Sequence, residues 1–150
     1  MAFLFLLLVY RNFSYSILTI IPVIIATCWI LGTMSLLGIS LNVLTVMVTA
    51  LTIGLGIDYA IHIVERYRHE LQTLDNDKAV EVAINHTGSA LIISGITSLF
   101  GFAVLTLSPM PLVRNFGIIT AATIIYSVLI AVLVLPSIML LSGNLLKEKN

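Results

Sequence analysis

Leu51-Thr52-Ile53-Gly54-Leu55-Gly56-Ile57-Asp58-Tyr59-Ala60-Ile61-His62-Ile63-Val64-Glu65-Arg66-Tyr67-Arg68 is the stretch that decides the fold. Residues 51–64 hold a single full charge, Asp58, and then the chain turns abruptly charged at Glu65. Working outward, Asp58 is the only fully charged side chain between Arg11 and Glu65. An apolar run of that length is a membrane helix, since a crossing takes about 20 residues. A carboxylate at the bilayer centre costs roughly 3 kcal/mol, so an acid kept there is a functional-site hypothesis by default.

The composition agrees. Hydrophobic residues make up 59% of the 150 and charged ones 9%, against about 25% charged in a soluble domain. The mean hydropathy is +1.13. The chain is therefore expected to be an all-α, polytopic membrane helical bundle. Seven basic and seven acidic residues balance to zero, which argues against a nucleic-acid partner. Cys28 is the one cysteine; it excludes an internal disulfide and any multi-cysteine metal site, and reads as a small residue on a helix face. Met1-Ala2-Phe3-Leu4-Phe5 lacks the basic start of a secretory signal.

A single transmembrane block over 1–150 divides by its polar breaks. Residues 1–10 are apolar but too few to cross, so they read as a truncated helix. Four full spans follow, at 17–37, 41–64, 90–107 and 116–141. Gly38-Ile39-Ser40 and Ser108-Pro109-Met110-Pro111 make turns. Residues 71–88 are the long polar stretch, within which Asp77 to Ile84 reads as a short amphipathic helix with Val80, Ala83 and Ile84 on one face. If the spans alternate, Arg11, Arg66, Arg68, Lys78, Lys147 and Lys149 share one side and Arg114 takes the other. The positive-inside rule makes the majority side the cytoplasm, with the 71–88 loop and the C-terminus inside a cell membrane.

On a helix, Gly54, Asp58, His62, Glu65 and His69 follow one another along one face, and Thr45, Thr49, Thr52, Gly56 and Tyr59 along a neighbouring one. Asp58 lies seven residues before Glu65, about 10 Å into the membrane from that charged end. A desolvated carboxyl with an imidazole at helical spacing can pass a proton toward the cytoplasm. The competing reading is a static carboxyl hydrogen-bonded to another helix, with His62 merely at the membrane boundary. Gly54-Leu55-Gly56 is no dinucleotide fingerprint, because the third glycine and the strand–turn–helix context are missing; small residues there let a helix approach closely. Asn85-His86-Thr87 fits a glycosylation sequon on the wrong side of the membrane. Ser94, Thr97, Ser98 and Gly101 on the third span, and Thr120, Thr123 and Ser127 on the fourth, are stripes suited to tight packing or to partnering Asp58. No catalytic triad, paired carboxylates or zinc motif appears in the sequence, so neither an enzyme, a metal nor a cofactor is expected.

Gly54 to His62 with Glu65-Arg66-Tyr67-Arg68 resembles the fourth transmembrane helix of the resistance-nodulation-division (RND) superfamily. Its closest branch is similar to the MMPL-type and hydrophobe/amphiphile efflux-3 transporters, relatives of Patched and Dispatched. Ser94-Gly95-Ile96-Thr97-Ser98-Leu99-Phe100-Gly101-Phe102 is similar to the family's fifth helix. Ser108 to Gly117, with Leu135-Pro136 later, is similar to its sixth. The resemblance implies a proton-driven exporter of hydrophobic or amphiphilic molecules, in which Asp58 and Tyr59 match the family's Asp-Tyr pair. It also implies that Ser94 and Thr97 face the Asp58 helix and join the relay, with Gly54 and Gly101 allowing the approach. Family members carry two such blocks, each with a further helix and a large extracytoplasmic domain. The expectation is thus a fragment or split half, partnered by the lipid bilayer and by the rest of the transporter or a homo-oligomer. The alternative is a sterol-sensing-like module that binds a lipid and regulates a partner.

Overall fold

The structure, a computed structural model, describes residues 2–40 and 42–147, with side chains left out at 2, 3, 5, 9 and 142–147. Leu41, expected to open the second span, and Lys149 lie outside the described residues. Within them the chain is helical and has no strand: α1 (Ala2–Tyr10), α2 (Phe13–Leu36), α3 (Val43–Glu70), α4 (Asn76–Ala83), α5 (Ser89–Ala103), α6 (Pro111–Leu129) and α7 (Leu135–Lys147). Four stretches are long and apolar enough to cross a membrane: Phe13–Leu36, Val43–Glu70, Asn76–Leu107 and Pro111–Leu141. The all-α, polytopic bundle read from the sequence is the architecture observed.

The helix starts follow local chemistry. Asn12 caps α2, its Oδ1 accepting from the Ser14 N–H at 3.0 Å. Asn42 caps α3 through the N–H groups of Leu44 and Thr45, at 3.0 and 3.1 Å. Thr45 Oγ1 returns the favour, accepting from the Asn42 N–H at 2.7 Å and completing a capping box. Pro111 opens α6 at a position where its missing N–H costs nothing. Gly38, at φ +63°, makes the α2–α3 turn in the left-handed region.

The third span differs from the sequence expectation. The polar stretch 71–88 is not a loop with a separate helix inside it. Only residues 71–75 turn; α4 then runs through a widened π turn, Ile84–Gly88, directly into α5. The stretch holds no proline, and its only glycine, Gly88, closes that π turn, so nothing breaks the helix. The amphipathic face is real: Ala79, Val80 and Ala83 are buried against α3 and α7. A second π turn, Ile130–Val134, links α6 to α7. Pro136 explains it. The ring has no N–H and crowds the carbonyl four residues back, at Val132, so the helix loosens there and the Leu135 N–H bonds Ile130 O instead.

Two cores hold the bundle. One, near the charged end, gathers Leu6, Tyr10, Tyr15, Ile63, Val64, Tyr67, Leu135 and Met139; the other gathers Ile30, Met34, Val48 and Ile119. α1 is short but seated, with Leu6 and Tyr10 buried against the bundle. α3 packs on α2 and α6, and α6 also carries α5. Polar contacts add to this packing. Thr52 and Thr123 hydroxyls meet at 3.1 Å between α3 and α6, a bond worth about 0.6 kcal/mol in a membrane bundle. Thr33 and Tyr126 hydroxyls meet at 2.9 Å between α2 and α6, beside an edge-to-face Trp29–Tyr126 pair at 5.5 Å.

Glycines sort sharply by what surrounds them. A Cβ on Gly117 would lie 2.8 Å from Leu105 Cβ, 2.9 Å from Thr106 N and 3.0 Å from Leu105 C. Most of those atoms are backbone and cannot move aside. Gly101, by contrast, has nothing within 4 Å. Gly117→Ala should therefore destabilise the bundle by roughly 1–3 kcal/mol, the usual cost of overpacking. Gly101→Ala should leave it unchanged or slightly more stable, by up to about 1 kcal/mol from helix propensity. Thermal unfolding of the detergent-solubilised variants checks both, and equal behaviour of the pair would contradict the packing.

Candidate functional site

α3 has two unlike faces. Thr45, Val48, Thr52, Gly56, Tyr59, Ala60, Ile63, Val64 and Tyr67 are buried. Gly54, Asp58, His62, Glu65 and His69 are all exposed on the surface of this block. The expected charged stripe thus exists as a stripe and looks outward. Asp58 and Tyr59 are neighbours in sequence that point to opposite sides, Tyr59 into the bundle at 6% exposure and Asp58 out of it.

Among the described residues no hydrogen bond or ion pair reaches the Asp58 carboxylate or His62, and none joins either to Glu65. Asp58 and His62 are separated by one turn, about 6 Å of rise. Below them the helix ends in a charged collar. Arg66 pairs with Glu70 at 2.9 Å, and Arg68 approaches Glu65 at 3.8 Å. Such exposed pairs contribute little stability, up to about 1 kcal/mol each. Their role is to hold this end of α3 in water. Tyr67 Oη, buried beneath the collar, donates to Asn76 Oδ1 at 2.6 Å and pins α4 under the bundle.

The two hydroxyl stripes meet opposite fates. Thr120, Thr123 and Ser127 on α6 are buried, with Thr123 bonded to Thr52; the Thr120 and Ser127 hydroxyls have no partner among the described residues. Ser94 and Thr97 on α5 are exposed, and Thr97 Oγ1 donates to its own helix at Ile93 O, 2.9 Å away. α5 packs chiefly on α6, so Ser94 and Thr97 are not brought to Asp58 within this chain. Gly54 and Gly101 likewise have open space where a Cβ would stand, whereas Gly56 meets Val23 at 3.5 Å. The close approaches inside the block are made by Gly95 and Gly117 instead. Both lie in the stretches that carry the resemblance, but spacing alone did not separate them from Gly54 and Gly101.

Among the described residues no three His, Cys, Asp or Glu side chains converge on a point that could hold a metal ion. Sequence reasoning also passed over a second polar place. Tyr10, Arg11, Asn12, Tyr15, Arg68 and Gln72 line a cavity of about 440 Å³ where α1, α2 and the end of α3 meet. The residues stand up to 62 positions apart, so no local motif could have gathered them.

Comparison with known proteins agrees with this architecture. The chain is 36% identical over 137 residues to a protein of Methanocaldococcus jannaschii described as a membrane protein, an alignment covering 91% of this chain and 35% of that one. It is 27% identical over 146 residues to the apo-petrobactin exporter of Bacillus anthracis, covering 93% of this chain and 20% of the exporter. It is 24% identical over 120 residues to Protein patched homolog 1 of Danio rerio, covering 79% of this chain and 10% of that protein. The chain thus spans about a third of the length of the archaeal relative and less of the others. The sequence model of the MMPL family matches residues 1–150, and with the four apolar helices and the Asp58 face in place, this chain belongs to the MMPL family of membrane proteins.

Proposed function

We propose that this chain is the membrane block of an exporter of hydrophobic or amphiphilic molecules, driven by protons that pass through Asp58. The observation that carries the reading is the placement of Asp58. It is the one full charge in the apolar part of α3, and it stands on the exposed face while the rest of the helix packs inward. A carboxylate left facing lipid costs roughly 3 kcal/mol. A second block, or a second copy of this chain, laid over Gly54, Asp58 and His62 removes that cost and leaves a carboxyl in a confined polar seam. Gly54, with nothing within 4 Å, lets such a partner come close. In that seam Asp58 takes up and releases the proton, His62 one turn below passes it toward the charged collar, and Tyr59 couples the carboxyl's segment to the bundle core. Ser94 and Thr97 serve the relay only through contacts outside this block. The relative that is named as an exporter supports the direction of transport.

The lipid-sensing alternative asks for a sterol-sized site between helices. The apolar groove between α5 and α6, along Gly95, Leu99, Ile124 and Val128, holds about 150 Å³. Ligand pockets begin near 300 Å³, and the larger cavity, of about 440 Å³, has a polar, cationic lining that does not suit a sterol ring; this favours the exporter reading.

Asp58→Asn keeps the shape of the side chain and removes the ionisable group. Reconstituted in vesicles with the segments that complete the transporter, it should lose proton-coupled efflux at least about a hundredfold, as expected when an essential proton carrier is removed. Its unfolding temperature should stay that of the parent. Asp58→Glu should keep part of the activity. Undiminished coupled transport by the Asn variant would end the proton-relay reading and favour a lipid sensor.

The proposed orientation puts residues 11–12 and 71–75 in the cytoplasm and the 37–42 and 108–110 turns outside, by alternation of the four helices and the six-to-one division of basic residues. Single cysteines at Asp75 and Ser108, in a Cys28→Ser background, should react with an impermeant thiol reagent on intact cells at Ser108 only. Reaction at both, or at Asp75 alone, would refute it.

A further inference from the structure

The cavity at the foot of α1, α2 and α3 is unlike the rest of this molecule. It holds about 440 Å³, against roughly 30 Å³ for one water in the liquid. Its wall carries groups that donate hydrogen bonds, the guanidinium groups of Arg11 and Arg68 and the side-chain amides of Asn12 and Gln72, with Tyr10, Tyr15 and Leu71 beside them. No acid lines it. Arg11 has no ion-pair partner among the described residues, and the Asn12 amide nitrogen is free because the cap of α2 uses only its oxygen.

Arg11 follows the last turn of α1 at φ +49°, its N–H closing that helix on Leu7 O at 3.0 Å. α2 also begins here with no acidic residue in its first turn, so its positive end faces the same place. The nearest opposing charge is Glu65, 3.8 Å from Arg68 and within electrostatic reach of Tyr10. That leaves one acid against two arginines. Arg68 is steadied over the Tyr15 ring, 5.7 Å from its centroid, an arrangement that leaves its edge donors for an anion.

We propose that this cavity binds a phosphate group, supplied by the headgroup of an anionic phospholipid in the adjoining leaflet. Arg11 and Arg68 clamp the phosphate oxygens, and Asn12 and Gln72 close the sides. The membrane boundary places the site level with headgroups: it lies at the first turn of α2 and the last turn of α3. Leu4 and Leu8, exposed on α1 at helical spacing leading to Arg11, give an acyl chain an apolar track away from the polar seat.

The test uses the complete chain purified in detergent and titrated with phosphatidylglycerol or phosphatidylcholine, counting retained lipid by native mass spectrometry. Retention of the anionic lipid should exceed that of the zwitterionic one by roughly tenfold, and the double variant Arg11→Gln with Arg68→Gln should abolish the preference. Arg→Lys at both positions should keep most of the preference. Helicity and unfolding temperature, measured alongside, show that the variants are folded. Equal retention of the two lipids by the parent, or an unchanged preference in the double Gln variant, would overturn the site. Stabilisation by millimolar inorganic phosphate equal to that by phosphatidylglycerol would overturn the lipid as its source.

Discussion

α3 must satisfy two demands that no single environment meets, and the arrangement of the other helices follows from how it does so. One face offers Val48, Gly56, Ala60 and Ile63, small or apolar and able to approach closely. The other offers Asp58, His62 and Glu65. In hydrocarbon the first face gains from dispersion and close contact, while the second loses wherever it meets lipid. Packing α2 and α6 on the first face secures the bundle and leaves the second for something beyond it. A carboxyl buried inside this block would instead have needed a partner from α2 or α6, and neither helix carries a basic residue at that depth.

In the proposed exporter, the outward Asp58 face gives the block its functional logic. Chemistry at a seam between two bodies can respond to their relative movement, whereas a carboxyl locked in one rigid core cannot. The inward Tyr59 and the Thr52–Thr123 contact anchor the same turns of α3 to α6. A change at the seam is thereby connected to the packed side of the bundle through one helix. The two π turns, at Ile84–Gly88 and Ile130–Val134, lie against each other on the charged half of the block. Widened turns of this kind are the places where a long helix bends most readily.

The charged end has its own organisation. Arg66 and Glu70, and Arg68 with Glu65, keep the end of α3 hydrated, while Tyr67 ties it to α4 and Tyr15 carries Arg68. These contacts join α2, α3 and α4 where the chain leaves hydrocarbon. The result is a firm polar floor under the apolar bundle, with a cavity in it whose lining is cationic and rich in donors.

The amino-acid sequence by itself determined the helices, their approximate ends and the existence of the charged stripe. Hydrocarbon leaves the backbone no alternative to helix, caps such as Asn12 and Asn42 are local, and residues three or four apart share a face whatever surrounds them. The continuity of α4 with α5 is not legible there, because a polar stretch reads as a loop although only a proline or a well-placed glycine breaks a helix. Tertiary structure alone decided which stripes are inside. Ser94 and Thr97 on α5 and Thr120 and Thr123 on α6 are hydroxyl pairs at the same spacing, yet one pair is exposed and the other buried. The difference lies in neighbours: α6 stands between α3 and α5 and touches both, while α5 has one open side. Gly117 and Gly101 separate for the same reason, since only the chain's path brings Leu105 and Thr106 against one of them. The Arg11–Arg68 cavity is the extreme case, because its walls come from segments that are remote in sequence and adjacent only once the helices have packed.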